Sequence, residues 1–230
     1  MSELELVSLT ITLRLAVATT VCLILLGTPL AWWLARSKSP LRIIVEPVVA
    51  LPIVLPPTVM GFYLLVLFSP NNVIGSTWLN VTGSPLAFTF EGLLIGSIIY
   101  SLPFYVQPLQ VAFEAVRQNL LDAAATLGAA RLDRFFSIVV PLCKRGFIVA
   151  SVLAFAHTIG EFGIVLMIGG NIPGETNVLS ILLYDHVESL EYDRAHRIAG
   201  GLMVFSFLLL LLVYNLNRGW QRLPGANRED

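Results

Sequence analysis

The sequence predicts an all-α membrane protein whose chain crosses the bilayer five times. The first observation is composition: 56% of the 230 residues are hydrophobic and 13% are charged, whereas soluble domains carry about 25% charged residues. The second is segment length, because one helical crossing needs about 20 mostly apolar residues. Five segments meet this requirement and predict a single transmembrane domain over residues 1–230. They cover about residues 9–35, 43–68, 87–112, 146–170 and 198–216.

The distribution of basic residues predicts the orientation of the chain. Lys and Arg concentrate on the cytoplasmic side of membrane proteins, and here eleven of the 14 lie between spans 1 and 2, between spans 3 and 4, or after span 5. This pattern predicts an external N-terminus, a cytoplasmic C-terminus and a cytoplasmic loop over residues 113–145. The eleven residues are Arg36, Lys38, Arg42, Arg117, Arg131, Arg134, Lys144, Arg145, Arg218, Arg222 and Arg228.

The remaining basic residues lie at the outer ends of spans 1 and 5. One interpretation of Arg14, Arg194 and Arg197 is that their charged heads reach interfacial water while their stems cover apolar surface. The alternative is that they form, with His196, an electropositive rim that attracts an anion. The connection between spans 4 and 5, over residues 171–197, has apolar residues at helical spacing, which predicts a short surface helix under the outer leaflet.

Prolines interrupt two of the predicted spans. In "EPVVALPIVLPPTVMGF", residues 46–62, four prolines each remove a backbone donor, so the helix must bend or break. Broken backbone in a bilayer lies against protein or a wet cavity, and Pro56, Pro57 and Thr58 are therefore candidates for lining a pathway. Ser101 and Gln107 are further candidates, because they lie beside the prolines of span 3. The kinks in span 3 have an alternative explanation in helix packing.

The predicted cytoplasmic loop contains a run of small and charged residues, "LLDAAATLGAARLDRFFSIVVPL", at 120–142. It predicts two short helices. Asn119 is the candidate N-cap of the first helix, Asp122 favours its N-terminal dipole, and Gly128 ends it in the left-handed conformation. The second helix covers about residues 131–139, and we expect Pro141 to stop it.

The same run resembles the EAA loop of ABC-importer permeases, whose pattern is Glu-Ala-Ala, three residues, Gly, nine residues, Ile-x-Leu-Pro. The resemblance implies a type I ABC-importer permease core that forms a homodimer. It also implies that the loop, including Arg131, docks into a cytosolic ABC ATPase dimer, that the ATPase uses ATP and magnesium, and that this chain binds no cofactor. The match has Asp for Glu and Val for Leu, and comprises Asp122, Ala123, Ala124, Gly128, Ile138, Val140 and Pro141.

Residues 157–176, "HTIGEFGIVLMIGGNIPGET", extend the resemblance to oxyanion importers. The element Gly160-Glu161-Phe162-Gly163 is similar in molybdate, sulfate and thiosulfate permeases, whereas the run 171–176 is similar to molybdate permeases. The resemblance implies import of molybdate or tungstate across the cytoplasmic (inner) membrane, with delivery by an external oxyanion-binding protein. Sulfate or thiosulfate is the alternative substrate.

One ionisable residue, Glu161, lies within a predicted span, where such residues are functional by default. Its negative charge would repel an oxyanion in a route of low dielectric constant. We therefore expect a structural role, in which Glu161 bonds backbone amides or a neighbouring helix where Gly160 and Gly163 allow close contact. His157 lies four residues earlier on the same helix face and is the expected partner.

Other classes of protein fit the sequence less well. The chain contains no P-loop, G-x-S-x-G motif or nucleophile triad, and its dispersed histidines predict neither a catalytic nor a metal site. A net charge of −1 gives no general attraction to nucleic acid, so we expect membrane lipid rather than nucleic acid as a partner. An ATP-independent carrier usually shows repeated interrupted helices, which this sequence lacks. A membrane-embedded enzyme built on His157, Glu161 and Asp185 is the third alternative.

Overall fold

The computed structural model describes residues 2–218, and every regular element in that range is helical. A π-helical turn lies at Phe135–Val139, between the helices that end at Arg134 and begin at Val140. The helices are α1 (Glu3–Arg36), α2 (Arg42–Val54), α3 (Pro57–Phe68), α4 (Val73–Thr82), α5 (Phe90–Glu114), α6 (Gln118–Thr126), α7 (Arg131–Arg134), α8 (Val140–Gly160), α9 (Gly163–Gly169), α10 (Leu179–Glu188) and α11 (Tyr192–Arg218).

Four helical stretches are long and apolar enough to cross a membrane, namely Glu3–Arg36, Phe90–Glu114, Arg131–Gly160 and Tyr192–Asn215. A fifth candidate consists of α2 and α3, which are bent by 114° relative to each other. The bend follows from Pro56 and Pro57, because neither residue has an amide hydrogen to continue the helical ladder beyond Leu55. The predicted interruption of span 2 is thus confirmed.

The bent pair carries the chain from one side of the bundle to the other. Glu114 at the end of α5 lies 2.9 Å from Arg42 at the start of α2. At the other end of α5, Phe88 donates its amide hydrogen to Ile168 of α9 over 2.8 Å. A helix of this length spans about 37 Å, so its two ends lie on opposite faces. The chain between α2 and α5 therefore passes from one end of the bundle to the other, which makes the bent pair the fifth candidate span within residues 2–218.

The helices α1, α5 and α8 pack together at the centre of the bundle. Gly27 of α1 allows this close approach, since a Cβ added there would lie 2.7 Å from the ring of Tyr105 on α5. The neighbouring Thr28 hydroxyl lies 2.9 Å from the Tyr105 hydroxyl, so a polar contact supports the same crossing. Small residues at helix crossings are the usual means of tight packing in a membrane, where lipid is as apolar as a side chain.

The fourth span differs from the prediction at both of its ends. Its helix already begins at Arg131 and continues through the π-helical turn into α8. Pro141 therefore does not stop the helix, and that prediction is wrong. The wider turn, in which Val140 donates to the Phe135 carbonyl, lies directly before the proline and makes room for a residue that lacks an amide hydrogen. At its far end, α8 stops at Gly160 instead of continuing to residue 170.

The helix predicted within residues 171–197 forms as α10, but only part of it is at the surface, with Tyr184, Val187 and Glu188 exposed. Ile181 and Leu182 are almost completely buried. The Leu179 amide donates to the Thr12 hydroxyl of α1 over 2.8 Å, which satisfies one of the free amides at the start of α10. The apolar face of α10 thus packs against α1 and α11 rather than against lipid.

Candidate functional site

A cavity of about 600 Å³ lies where two helix breaks meet. One break separates α2 from α3, and the other separates α8 from α9. Two of the predicted pathway residues, Pro57 and Thr58, line this cavity together with His157, Glu161 and the ring of Tyr100. The structure therefore places Pro57 and Thr58, which were predicted to line a pathway, beside His157 and Glu161, which were predicted to make helix contacts. Pro56 is exposed at the N-cap of α3.

Glycine brings the two broken spans into contact beside the cavity. A Cβ added at Gly163 would lie 2.6 Å from the Pro57 Cβ, and one added at Gly61 would lie 2.8 Å from the Met167 Cβ. These distances are shorter than real side chains allow, so α3 and α9 can approach this closely only with glycine at both positions. Gly160 differs, because its added Cβ would have no described atom within 4 Å. It faces open space in the cavity rather than a neighbouring helix.

The expected pairing of His157 with Glu161 is absent, and that prediction is wrong. The helix ends at Gly160, and Glu161 has extended backbone with φ −71° and ψ 132°. Because the helix stops, the two side chains no longer share a face. The His157 Nδ1 atom instead lies 3.0 Å from the Ser101 hydroxyl, and the Phe104 ring stacks on the imidazole with 3.8 Å between ring centres.

The Glu161 carboxyl group is buried, with 5% of the residue exposed. Neither of its carboxyl oxygens has a hydrogen-bond partner among residues 2–218, and its backbone carbonyl accepts a hydrogen bond from the Ser180 hydroxyl. Glu161 was expected to bond backbone amides or a neighbouring helix. Among residues 2–218 its carboxyl oxygens bond no backbone amide, while the Ser97 hydroxyl of the neighbouring helix α5 lies close enough to interact with them. This buried acidic group lies at the wall of the cavity.

The remaining predicted residues of span 3 lie elsewhere. Ser101 is buried and joins α5 to α8 through His157 and through the Thr158 hydroxyl, which lies 2.9 Å away. Gln107 is exposed on α5 and does not line the described cavity. Tyr100, which does line it, was missed by the sequence analysis; its position directly before Ser101, in a span interrupted by proline, was the available signal.

The residues of the run 171–176 hold a loop together rather than line the cavity. The Thr176 hydroxyl donates to the Gly169 carbonyl over 2.6 Å and accepts from the Ile172 amide over 2.9 Å. The Asn171 side chain donates to Asp185 of α10 over 3.1 Å. Asp185 therefore bonds Asn171 in this loop and does not line the cavity with His157 and Glu161, so the three residues considered for an enzyme do not share that cavity.

The loop between α5 and α8 forms a short projecting helix, α6. Its N-cap is Arg117 and not Asn119, which lies inside the first turn. Asp122 accepts a hydrogen bond from the Gln118 side chain over 2.9 Å. At the other end Gly128 has a φ of +88°, as predicted. Its amide donates to Ala125 and the Ala129 amide donates to Ala124, both over 3.0 Å, which closes the helix in a Schellman motif.

One side of α6 is anchored and the other is exposed. Leu121 is buried in the core, and the Arg134 guanidinium donates to its carbonyl over 3.2 Å. Ile138 is half-buried against the same core, whereas Leu127 is 89% exposed at the end of α6. The sequence analysis missed this exposed leucine, although its position directly before Gly128 was a signal. The predicted coupling residues that are exposed are Asp122, Ala123, Gly128, Arg131 and Pro141, while Ala124 is half-buried.

Comparison with known proteins adds to this geometry. Residues 27–222 match the family model described as "Binding-protein-dependent transport system inner membrane component". The chain is 53% identical over 218 residues to the molybdenum transport system permease protein ModB of Azotobacter vinelandii, covering 95% of this chain and 96% of that protein. It is 38% identical over 163 residues to ModB of Escherichia coli K12, covering 71% of each chain.

A sulfate permease and a solved structure are also similar. The sulfate transport system permease protein CysT of Escherichia coli K12 is 32% identical over 196 residues, which cover 85% of this chain and 70% of that protein. A chain from the crystal structure of a bacterial alginate ABC transporter superimposes with a TM-score of 0.77 over 96% of this chain and 81% of its own length. At 17% identity this likeness shows the fold. The resemblance to ABC-importer permeases is thus confirmed, and the chain belongs to the family of binding-protein-dependent transport system inner membrane components.

Proposed function

We propose that this chain is the permease subunit of an ATP-driven importer of tetrahedral oxyanions, with molybdate or tungstate as the substrate. The observation that carries the proposal is the 53% identity to a molybdenum permease over 95% of the chain. The sulfate permease is less similar, at 32% identity over 85% of the chain. Sulfate is therefore the second candidate substrate.

We place the anion route along the exposed side of the cavity between the two helix breaks, at Pro57 and Thr58. The Glu161 carboxyl group, whose charge would repel an oxyanion, is buried in the wall instead of being exposed at this side. Interrupted backbone inside a membrane is tolerated where it lines a cavity, and the N-terminus of α3 at Pro57 and Thr58 contributes a partial positive charge there. The side chains of Thr58, Tyr100 and His157 supply hydrogen-bond donors for an oxyanion. Such a route must bind its ion weakly enough to release it. Neutral donors serve this purpose better than a cluster of arginines.

The route requires a second copy of the chain. Pro56, Pro57 and Thr58 are exposed in the single chain, although they lie at the break that lines the cavity. A second copy related by a two-fold axis covers this open side and turns the cavity into an enclosed path. The homodimer is therefore part of the proposal.

The projecting helix α6 is the proposed docking element for a cytosolic ATPase. Its exposed Leu127 and small alanines fit a groove on a partner, and the Schellman motif keeps the helix short and stiff. In this assignment the ATPase binds ATP and magnesium, and this chain is a non-catalytic subunit without a cofactor. An external binding protein supplies the oxyanion. The N-terminus is then outside, and the C-terminus, including Arg222 and Arg228 beyond the described residues, is in the cytoplasm.

Competition for uptake tests the substrate assignment. Vesicles that contain the chain with its ATPase take up labelled molybdate in the presence of the binding protein, and we expect unlabelled tungstate to compete and sulfate to compete poorly. Strong competition by sulfate would instead assign the transporter to sulfate. Cysteines placed at Ser2 and Asn227 test the orientation, since membrane-impermeant reagents should label only the first from outside.

A further inference from the structure

Four polar side chains join the start of α2 to the end of α5. The Arg42 guanidinium donates to Glu46 over 3.3 Å through Nε and to Glu114 over 2.9 Å through Nη2. The Gln110 amide donates to the same two carboxylates, to Glu46 over 2.9 Å and to Glu114 over 3.1 Å. Each carboxylate thus receives hydrogen bonds from both Arg42 and Gln110. We call these four residues the α2–α5 link.

The α2–α5 link lies between the docking helix and the broken span. Glu114 is the last residue of α5, and Gln118 begins α6 after a corner of three residues. On the other side, Arg42 is the first residue of α2, which leads to the Pro56 break beside the cavity. The link is therefore the polar contact through which the α5–α6 corner meets the half-span that leads to the cavity.

A second arginine holds the same corner in a different way. Arg36, the last residue of α1, donates through Nη2 to the carbonyls of Phe113 and Val116 over 2.9 and 2.7 Å. Its Nη1 donates to the Gln118 side chain over 3.2 Å. The Phe113 carbonyl also accepts from the Val116 amide over 3.2 Å, so Arg36 adds a second hydrogen bond there and supplies one to the Val116 carbonyl. Arg36 therefore fixes the corner to α1, while Arg42 connects it to α2.

The two arginine contacts differ in how easily they can rearrange. Arg36 bonds backbone carbonyls, which have a fixed position in the helix end. Arg42 bonds side chains instead, and 46% and 40% of the Glu46 and Glu114 side chains are exposed. The Arg42 contacts can therefore change direction as the corner turns, while buried Gln110, which bonds both carboxylates, keeps α2 attached to α5.

We propose that the α2–α5 link transmits movement of α6 to the broken span, with Arg42, Glu46, Gln110 and Glu114 as positioning residues. This inference rests on the proposed function. When the ATPase moves α6, the corner turns about the Arg36 contact and the α2–α5 link carries α2 with it. The break between α2 and α3 then changes its angle beside the cavity. Without the link, α6 moves and ATP is hydrolysed, but α2 does not follow.

The test is the number of oxyanions transported per ATP hydrolysed by the complete transporter in vesicles. We expect Arg42→Gln and Glu114→Gln to lower this ratio about fivefold or more, which is the lower range for coupling between distant sites. ATPase co-purification should stay unchanged. The double variant should be no worse than either single variant, since both remove the same interaction. Lys38→Gln is the matched control, because it removes an exposed positive charge from the same connection and should leave the ratio unchanged.

Arg42→Lys separates the geometry of the side chain from its charge. Lysine keeps the charge that orients the chain but lacks the planar fork that bonds two carboxylates together, so we expect an intermediate ratio. A normal ratio in Arg42→Gln would overturn the proposal, as would loss of the ATPase from that variant or fully additive losses in the double variant. Failure of the proposed function has a different signature, which is absence of ATP-driven uptake by the unmodified chain.

Discussion

The conformation of Gly128 allows a quantitative prediction about α6, the helix proposed to dock into the ATPase. Gly128 has a φ of +88°, and a Cβ added there would have no described atom within 4 Å. Gly128→Ala therefore introduces no clash, and its cost is the left-handed backbone, about 1–2 kcal/mol for an L-residue. This free energy shifts the ratio of closed to unwound helix end about 5- to 30-fold.

Proline at the same position has a larger effect. Its ring fixes φ near −65°, so the turn cannot form, and the hydrogen bond from the residue-128 amide to Ala125, which contributes about 1 kcal/mol, is lost. We expect Gly128→Ala to lower ATP-driven uptake partially and Gly128→Pro to abolish it. Both variants should reach the membrane at the normal level, because Gly128 lies outside the apolar helices.

The assay combines membrane abundance, co-purification of the ATPase, and uptake of labelled molybdate. Gly83 provides a matched control, since it ends α4 with a φ of +77° and also has no described atom within 4 Å of an added Cβ. Gly83→Pro strains an equivalent turn on the opposite side of the bundle and should leave ATPase docking intact. Normal uptake by Gly128→Pro, or equal loss of docking in Gly83→Pro, would refute the reasoning.

Three further predictions concern single side chains. Leu127→Asp places a charge on the highly exposed C-cap residue of α6 and should reduce co-purification of the ATPase without lowering membrane abundance. Unchanged co-purification would exclude Leu127 from the interface with the ATPase. Gly163→Val should lower the unfolding temperature of the detergent-solubilised protein, because the Pro57 Cβ is 2.6 Å from the added Cβ and overpacking costs about 1–3 kcal/mol. Gly160→Ala should be tolerated, since its added Cβ has no described atom within 4 Å. Equal unfolding temperatures for the two variants would contradict this difference. Thr58→Val removes a hydroxyl from the cavity and should slow molybdate uptake about fivefold, as expected for the loss of one hydrogen bond of about 1 kcal/mol. Gln107→Leu lies outside the cavity and should leave the uptake rate unchanged. An unchanged uptake rate in Thr58→Val would exclude Thr58 from the route.

Much of the fold could be predicted from local sequence patterns. The five apolar segments and the break in span 2 follow from segment length and from Pro56 and Pro57, which act regardless of what surrounds them. Gly128 was also predictable, because few other residues adopt a left-handed helix end. The run at residues 120–142 was recognisable as similar to the family's EAA loop because the spacing of that pattern is a property of a contiguous run.

Helix irregularities without a local signal and contacts between distant segments could not be predicted in the same way. The pairing of His157 with Glu161 assumed a continuous helix, and the helix ends at Gly160. The effect of Pro141 depended on a π-helical turn that no local propensity indicates. The Arg42–Glu114 contact joins residues 72 positions apart, so it depends on how α2 and α5 pack.

The most direct test of the account is whether uptake depends on the ATPase. Vesicles that contain this chain with its ATPase and external binding protein should accumulate labelled molybdate when ATP is supplied, and vanadate should block the accumulation. The same vesicles without the ATPase should accumulate none. Equal uptake with and without the ATPase would show an ATP-independent carrier and would contradict the role assigned to α6.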